Sequence, residues 1–239
     1  MEITSINNPK IKYWEKLKTK KYRELNEKFL VEDYHLVNEA IKCGMATEII
    51  TIDNDLQYNI PTYHVNEKIM NLLSEQKTGC HIIAVCSVLP KKDITRNIII
   101  LDRLQDPGNM GTIIRSAVAF NFNTIVVSDD SVDVYNPKVI RASEGMIFHV
   151  NILRCHIGDF LKDLSSDYLK VTTDVNNGKN IKDLQSEKWA LVIGNEGSGV
   201  SSEIMNLCDE KVHINMSSVC ESLNAGVSAS ILMYEVNNG

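Results

Sequence analysis

The chain has 239 residues, 44% of them hydrophobic, with five prolines and a formal net charge of −6. This composition excludes a disordered chain and fits one large or two small globular domains. The acidic balance also excludes a surface coated all round with phosphate-binding residues.

Asn8-Pro9 reads as an N-cap with proline at the first helical position, opening a basic helix to about Thr19. Between Lys10 and Lys28 the chain carries Lys10, Lys12, Lys16, Lys18, Lys20, Lys21, Arg23 and Lys28 against Glu15, Glu24 and Glu27. Such a run is often no more than a solvated helix face. Trp14 and Tyr22, interleaved with the lysines, point instead to an RNA-facing surface. A strand follows at 29–31. Asp33 then caps a helix carrying Leu36, Val37, Ala40 and Ile41, which Gly44 ends. Strands at 48–52 and 62–65, a helix through Ile69, Met70, Leu72 and Leu73, and a strand at 82–85 complete a small α/β sandwich. The polar stretch 89–97 reads as a linker, dividing a first domain, 1–90, from a second, 97–239.

Beyond the linker the pattern restarts with a strand at 98–101, a helix at 110–120, a strand at 124–127 and a helix near 137–142. Strands at 150–153, 169–172, 190–193 and 211–214 follow, then a final helix from Ser222 to about Val236. The runs Ile98-Ile99-Ile100-Leu101 and Ala190-Leu191-Val192-Ile193 have the character of strands buried on both faces, as in a parallel sheet. The expected fold class is therefore α/β, with a mostly parallel sheet in the second domain. Six cysteines without a CxxC pair and six histidines without ligand spacing predict neither a disulfide framework nor a metal site. The first thirty residues lack a signal-peptide core and no stretch is long enough to span a bilayer, so a cytoplasmic protein with no membrane partner is expected.

Three polar junctions follow strands of the second domain, where open α/β sheets collect ligands. In the first, Asp106-Pro107-Gly108 forms a turn, Asn109 sits where a helix N-cap belongs, and Arg115 lies six residues further on. Asn109 as a plain cap and Arg115 as a snorkelling side chain would account for both residues equally well. The second, Gly194-Asn195-Glu196-Gly197-Ser198-Gly199-Val200-Ser201, has three glycines in six residues but not the spacing of a dinucleotide-binding loop. In the third, after Ile214-Asn215-Met216, Glu221-Ser222-Leu223-Asn224 opens the last helix with Ser222 as its cap.

Taken in order, these three junctions resemble the signature motifs of the SpoU/TrmH family of RNA ribose 2'-O-methyltransferases, in the SPOUT superfamily, and Asn136-Pro137-Lys138-Val139-Ile140-Arg141-Ala142-Ser143 is similar to a further stretch of that family. The resemblance covers the last 140 residues or so. The opening, Ile3-Thr4-Ser5 through Asn8-Pro9 to Phe29-Leu30-Val31-Glu32, is similar to the family's L30e-like substrate-binding domain.

The resemblance implies a catalytic domain with a deep trefoil knot, S-adenosyl-L-methionine as cofactor, RNA as substrate (ribosomal by family analogy) and a homodimer built through the catalytic domain. It implies a cofactor loop set of Gly194, Asn195, Glu196, Gly197, Gly199, Ile214, Met216 and Leu223, and catalytic positions Arg115, Asn109, Glu196, Ser222 and Asn224, with Arg115 completing the partner's site. Since guanidinium holds its proton in essentially all protein settings, Arg115 is expected to bind a phosphate beside the target ribose and stabilise developing oxyanion charge. Asn109 is expected to orient Arg115 or the hydroxyl, Ser222 and Asn224 to hold the ribose, and Glu196 to anchor the glycine-rich loop. The RNA surface is assigned to Lys10, Lys12, Lys16, Lys18, Lys20, Lys21 and Arg23. The chain departs from the family pattern, which usually has proline at Asn215, glycine at Ser218 and methionine at Glu144, with a serine or small apolar residue common near Gly226. A transfer-RNA methyltransferase and a non-catalytic RNA-binding protein keeping the knotted fold stand as alternatives. A Rossmann oxidoreductase would need a glycine fingerprint after the first strand, which is absent.

Overall fold

A computed structural model describes residues 1–76, 79–88, 90, 92–175 and 177–238. In the first ninety residues the order is β1 (Glu2–Ile3), α1 (Pro9–Lys16), α2 (Lys20–Asn26), β2 (Lys28–Glu32), α3 (Tyr34–Lys42), β3 (Ala46–Thr51), β4 (Thr62–Val65), α4 (Glu67–Leu73) and β5 (Ile82–Ser87). The strands form one mixed sheet in the order β1-β4-β3-β5-β2. Asn8 caps α1 as expected, its side chain accepting from Lys10 N at 2.9 Å. The helix then stops at Lys16 instead of Thr19, because Thr19 adopts an extended backbone and α2 starts after it. The break explains Arg23. At 6% exposure, its Nη1 donates to the carbonyls of Leu17 (3.0 Å) and Lys18 (2.7 Å), which the end of α1 leaves without helical partners.

The second half runs β6 (Asn97–Leu101), α5 (Pro107–Ala119), β7 (Thr124–Val127), α6 (Pro137–Ala142), β8 (Asn151–Arg154), α7 (Ile157–Asp163), β9 (Tyr168–Thr173), β10 (Lys188–Ile193), α8 (Ser202–Met205), β11 (Glu210–Val212) and α9 (Ala225–Asn238). Its sheet order is β11-β9-β10-β6-β7-β8, and every neighbouring pair is parallel. The two apolar runs are the central strands, with Ile98 opposite Ala190 and Leu101 opposite Ile193. Of the predicted linker, Leu89 and Lys91 lie outside the described residues. Thr95 packs onto the sheet through Thr124, Oγ1 to Oγ1 at 2.8 Å.

Two helix starts differ from expectation, and both differences matter below. Asp106, not Asn109, caps α5: its Oδ1 accepts from Asn109 N at 2.8 Å, so the supposed turn is the helix's first turn with Pro107 at its first position. Asn224, not Ser222, caps α9, its Oδ1 accepting from Gly226 N (2.9 Å) and Val227 N (3.2 Å).

By contact the chain divides into Met1–Leu89 with Tyr135–Phe148, and Pro90–Val134 with His149–Gly239. The excursion carrying α6 thus belongs to the first unit, where Tyr135 stacks on Phe29 at 4.5 Å between ring centroids and Phe148 follows at 6.4 Å. Val139, Ile140, Ile147 and Phe148 are buried, and burying each such side chain is worth about 1.5–3 kcal/mol. A fragment of residues 97–239 should therefore bind an apolar dye and elute as aggregates, and co-expression with residues 1–90 should reverse both. A monodisperse fragment with a cooperative melt would disprove this assignment.

Candidate active site

The carboxyl ends of β6 and β10, adjacent at the centre of the parallel sheet, carry the first two junctions. Beside them is a cavity of about 360 Å³, walled by residues 193–200, by His213, Ile214 and Met216, and by Ser222, Leu223 and Ala225, with Thr173 at the end of β9 and Asp174 and Val175 after it also lining it. That volume is within the range of about 300–1,000 Å³ usual for small-molecule sites. All eight predicted cofactor residues, Gly194, Asn195, Glu196, Gly197, Gly199, Ile214, Met216 and Leu223, line this one cavity, as does Ser222. Asn215 and Ser218, the two departures on the third junction, are not among its lining residues; Asn215 Oδ1 instead accepts from His213 Nε2 at 2.7 Å.

The glycine-rich loop folds against itself. Asn195 and Gly199 exchange backbone hydrogen bonds at 3.1 and 2.9 Å, and Asn195 Oδ1 accepts from Gly197 N and Ser198 N, both at 3.0 Å. Glu196 also holds the other junction: its carboxylate accepts from Gln105 N (3.1 Å), Asp106 N (2.9 Å) and Asn109 Nδ2 (3.1 Å), besides its own backbone N–H. Asn109, freed from capping and 8% exposed, also accepts from Asn224 Nδ2 at 2.8 Å. Glu196, Asn109 and Asn224 therefore form a chain of hydrogen bonds joining all three junctions.

Burial raises the pKa of Glu196, but the bonds from Asp106, Asn109 and Gln105 outweigh it and hold the carboxyl below its usual value. A lowered folded-state pKa contributes stability above the unfolded value and loses it as pH falls through the folded one. Glu196→Gln should therefore melt below the parent at neutral pH, with the gap closing as pH drops below about 4.3. A gap that stays constant from pH 7 to pH 3 would contradict this. The group is exposed, so the gap will be modest.

Arg115 is not brought to the cavity. It lies about 120° round α5 from Asn109, exposed and without a bonding partner among the described residues, so Asn109 does not orient it within one chain. The predicted RNA surface is also uneven. Lys12, Lys16, Lys20 and Lys21 are exposed. Lys10 pairs with Glu48 at 2.8 Å, Lys18 pairs with Glu75 at 3.4 Å and donates to Leu72 O at 3.0 Å, and Arg23 is occupied within the fold. Trp14 faces the core at 0% exposure, its Nε1 donating to Glu48 at 2.7 Å, so it offers no stacking platform.

The reading of the sequence missed Asp174, which the rule of strand carboxyl ends could have found after β9, and the pair Asp102 and Arg103. Asp174 and Glu196 are carboxylates, and no Lys or Arg lines the cavity among the described residues. Asp174 is paired with Lys211 at 3.9 Å and Glu196 accepts three N–H bonds, so the cavity offers phosphate no lining cation and suits a neutral or cationic ligand better.

Fold and site together define a parallel α/β protein with a phosphate-averse small-molecule cavity at the carboxyl ends of its central strands. Residues 96–234 match the SpoU rRNA Methylase family, and residues 8–84 match the MRM3-like substrate binding domain. The chain is 36% identical over 244 aligned residues to the 23S rRNA (guanosine(2553)-2'-O)-methyltransferase RlmP of Bacillus subtilis, covering 98% of each. It is similar in structure to an rRNA methyltransferase from Sinorhizobium meliloti (TM-score 0.89, 23% identity, 100% of this chain and 97% of that one). It is also similar to the SpoU methyltransferase AviRb from Streptomyces viridochromogenes in complex with AdoMet (TM-score 0.84, 24% identity, 97% and 98%). The chain belongs to the SpoU rRNA methylase family. No helix among the described residues is long and apolar enough to cross a membrane.

Proposed function

We propose that this protein transfers the methyl group of S-adenosyl-L-methionine to a ribose 2'-hydroxyl of ribosomal RNA. The observation that carries the reading is the cavity walled by the second and third junctions, with two carboxylates and no Lys or Arg among the described residues, and tied to the first junction through the bonds of Glu196 to Gln105, Asp106 and Asn109. These walls fit a cofactor that is cationic at its sulfonium and ammonium groups and has no phosphate. When bound, that cofactor supplies an already activated methyl group. The relative named for 2'-O-methylation of 23S rRNA and the AdoMet-bound neighbour support the same assignment.

The chain's own residues then position and stabilise. Backbone groups of residues 194–199, 214 and 216 hold the cofactor. The Glu196–Asn109–Asn224 bonds fix the three loops relative to one another, and Ser222 presents a hydroxyl at the cavity wall towards the target ribose. Arg115 binds the neighbouring phosphate and stabilises the oxygen as it loses its proton, acting in the partner's site of a homodimer. Residues 97–239, apart from the excursion 135–148 that belongs to the first unit, form the catalytic domain, its chain threaded as a trefoil knot, one of the rare exceptions to unknotted topology. Residues 1–90 form an L30e-like domain selecting RNA. The enzyme works in the cytoplasm.

The test is incubation of the purified chain with labelled cofactor and with ribosomal or transfer RNA from cells lacking the gene. An alkali-resistant, methylated linkage at one ribosomal nucleotide is expected; absence of both cofactor binding and label would overturn the reading. Reversing the charge of Lys12, Lys16, Lys20 and Lys21 should weaken RNA binding and flatten its dependence on salt, by close to one unit of log–log slope for each phosphate the protein no longer neutralises. An unaltered slope would move the RNA surface elsewhere.

A further inference from the structure

Arg103 does not line the cavity, and it carries none of the roles assigned above. It nevertheless touches the glycine-rich loop at both ends. Its carbonyl accepts from Asn195 Nδ2 at 2.9 Å, and its Nη2 donates to Gly199 O at 3.2 Å. The guanidinium is held in turn by Asp102, at 4% exposure, through Nε to Oδ1 (3.1 Å) and Nη2 to Oδ2 (3.2 Å). The same carboxylate accepts from Ser201 N at 3.0 Å, just past the loop's far end. The backbone of Arg103 sits in the left-handed region at φ +57°, a conformation that costs a residue with a side chain free energy and persists only where surrounding bonds enforce it. Here the enforcing bond is Arg103 N to Ser128 Oγ at 2.9 Å. A loop with three glycines has many conformations to lose, so whatever grips its ends sets how much ordering remains when a ligand binds.

We infer that Arg103 is a positioning residue of the cofactor site: its guanidinium, held by Asp102, latches the Gly199 end of the 195–199 loop in its binding-ready form before ligand arrives, while its main-chain carbonyl holds Asn195. The inference rests on the proposed function, because the ligand whose affinity it sets is S-adenosyl-L-methionine. A pre-ordered loop changes affinity for the cofactor without changing the reaction once the site is full. Arg103→Ala should therefore raise the dissociation constant for S-adenosyl-L-methionine about tenfold, raise its KM in parallel, and leave kcat at saturating cofactor and KM for RNA within about twofold.

The full-length protein is used throughout, with calorimetry of the cofactor and steady-state kinetics on RNA. Amide hydrogen exchange of the ligand-free protein gives an independent readout: protection at residues 195–199 should fall in Arg103→Ala and elsewhere stay unchanged. Arg103→Gly removes the same guanidinium while relieving the backbone strain, so it serves if the alanine variant folds poorly, and it should lose the same affinity. Arg103→Lys keeps the charge but not the fork that spans Asp102 and Gly199, and should recover less than half of the lost affinity on a logarithmic scale. Unchanged affinity and protection in the alanine and glycine variants would overturn the latch, as would a loss confined to kcat or to RNA binding. A parent protein that fails to bind the cofactor at all would instead overturn the proposed function.

Discussion

Gly194→Ala is expected to reduce cofactor affinity by about a hundredfold or more, whereas Gly197→Ala, three residues along the same loop, should stay within about threefold of the parent. The difference follows from where a Cβ would fall. At position 194 it would lie 2.2 Å from both Gly199 C and Val200 N and 2.5 Å from Gly199 O. These are backbone atoms, so no side-chain rotation can relieve the overlap. At position 197 the nearest atom is Asn195 Oδ1 at 3.6 Å, an ordinary contact. Relieving the overlap at 194 means separating β10 from residues 199 and 200, which breaks the paired bonds between Asn195 and Gly199 and moves one wall of the cavity. Calorimetry of the two variants with S-adenosyl-L-methionine, beside thermal unfolding, is the check. The alanine at 194 should also lower the melting temperature, since overpacking against fixed backbone costs about 1–3 kcal/mol. Equal affinities for the two variants would mean the loop does not bind the ligand.

Those two glycines look alike in the sequence, and the contrast marks how far the sequence could be read. The motifs singled out residues that the fold gathers around one cavity, because a glycine-rich run at the carboxyl end of a doubly buried strand falls where open α/β sheets form their crevices. Ile98-Ile99-Ile100-Leu101 and Ala190-Leu191-Val192-Ile193 announced adjacent central strands through their unbroken apolar character. Helix starts were less legible where several capping residues crowd together. Asp106 and Asn109 both suit an N-cap, and only the position of Pro107 at the first helical residue decides between them. Choosing Asn109 hid its real role, since a capping carboxamide could not also join Glu196 to Asn224. Helices α2, α7 and α8 were missed because each is at most seven residues long and gives no side-chain cap signal or too short a period. Trp14 was read outward from its lysine neighbours, yet a large aromatic side chain gains far more by burial, and Glu48 satisfies its N–H. Nothing local distinguishes Arg103 in the sequence: its contacts are with Asn195 and Gly199, more than ninety positions away.

Arg115→Ala should lower kcat by about a hundred- to a thousandfold, the range seen when one group stabilising a developing oxyanion is removed, while cofactor affinity stays unchanged. The second half of that expectation follows from its place in the fold, exposed on α5 and outside the cavity's lining residues. If Arg115 has the proposed catalytic role, its place outside the lining of its own chain's cavity fits action in another chain's. Mixing the two impaired proteins, at a cofactor concentration that fills the parent site but not that of Gly194→Ala, distinguishes the arrangements. If Arg115 serves the partner's cavity, a dimer of one Arg115→Ala chain and one Gly194→Ala chain holds one site with an intact loop and an intact arginine, and one with neither. Random reassortment of equal amounts makes half the dimers mixed, each with one working site of two, so about a quarter of the parent activity should return. If the arginine serves its own chain, every site in the mixture lacks one part, and none returns. Arg115→Lys separates charge from shape: lysine can neutralise a phosphate but cannot form the two parallel bonds of the guanidinium. It should recover only part of the loss, and full recovery would reduce the role of Arg115 to that of a point charge.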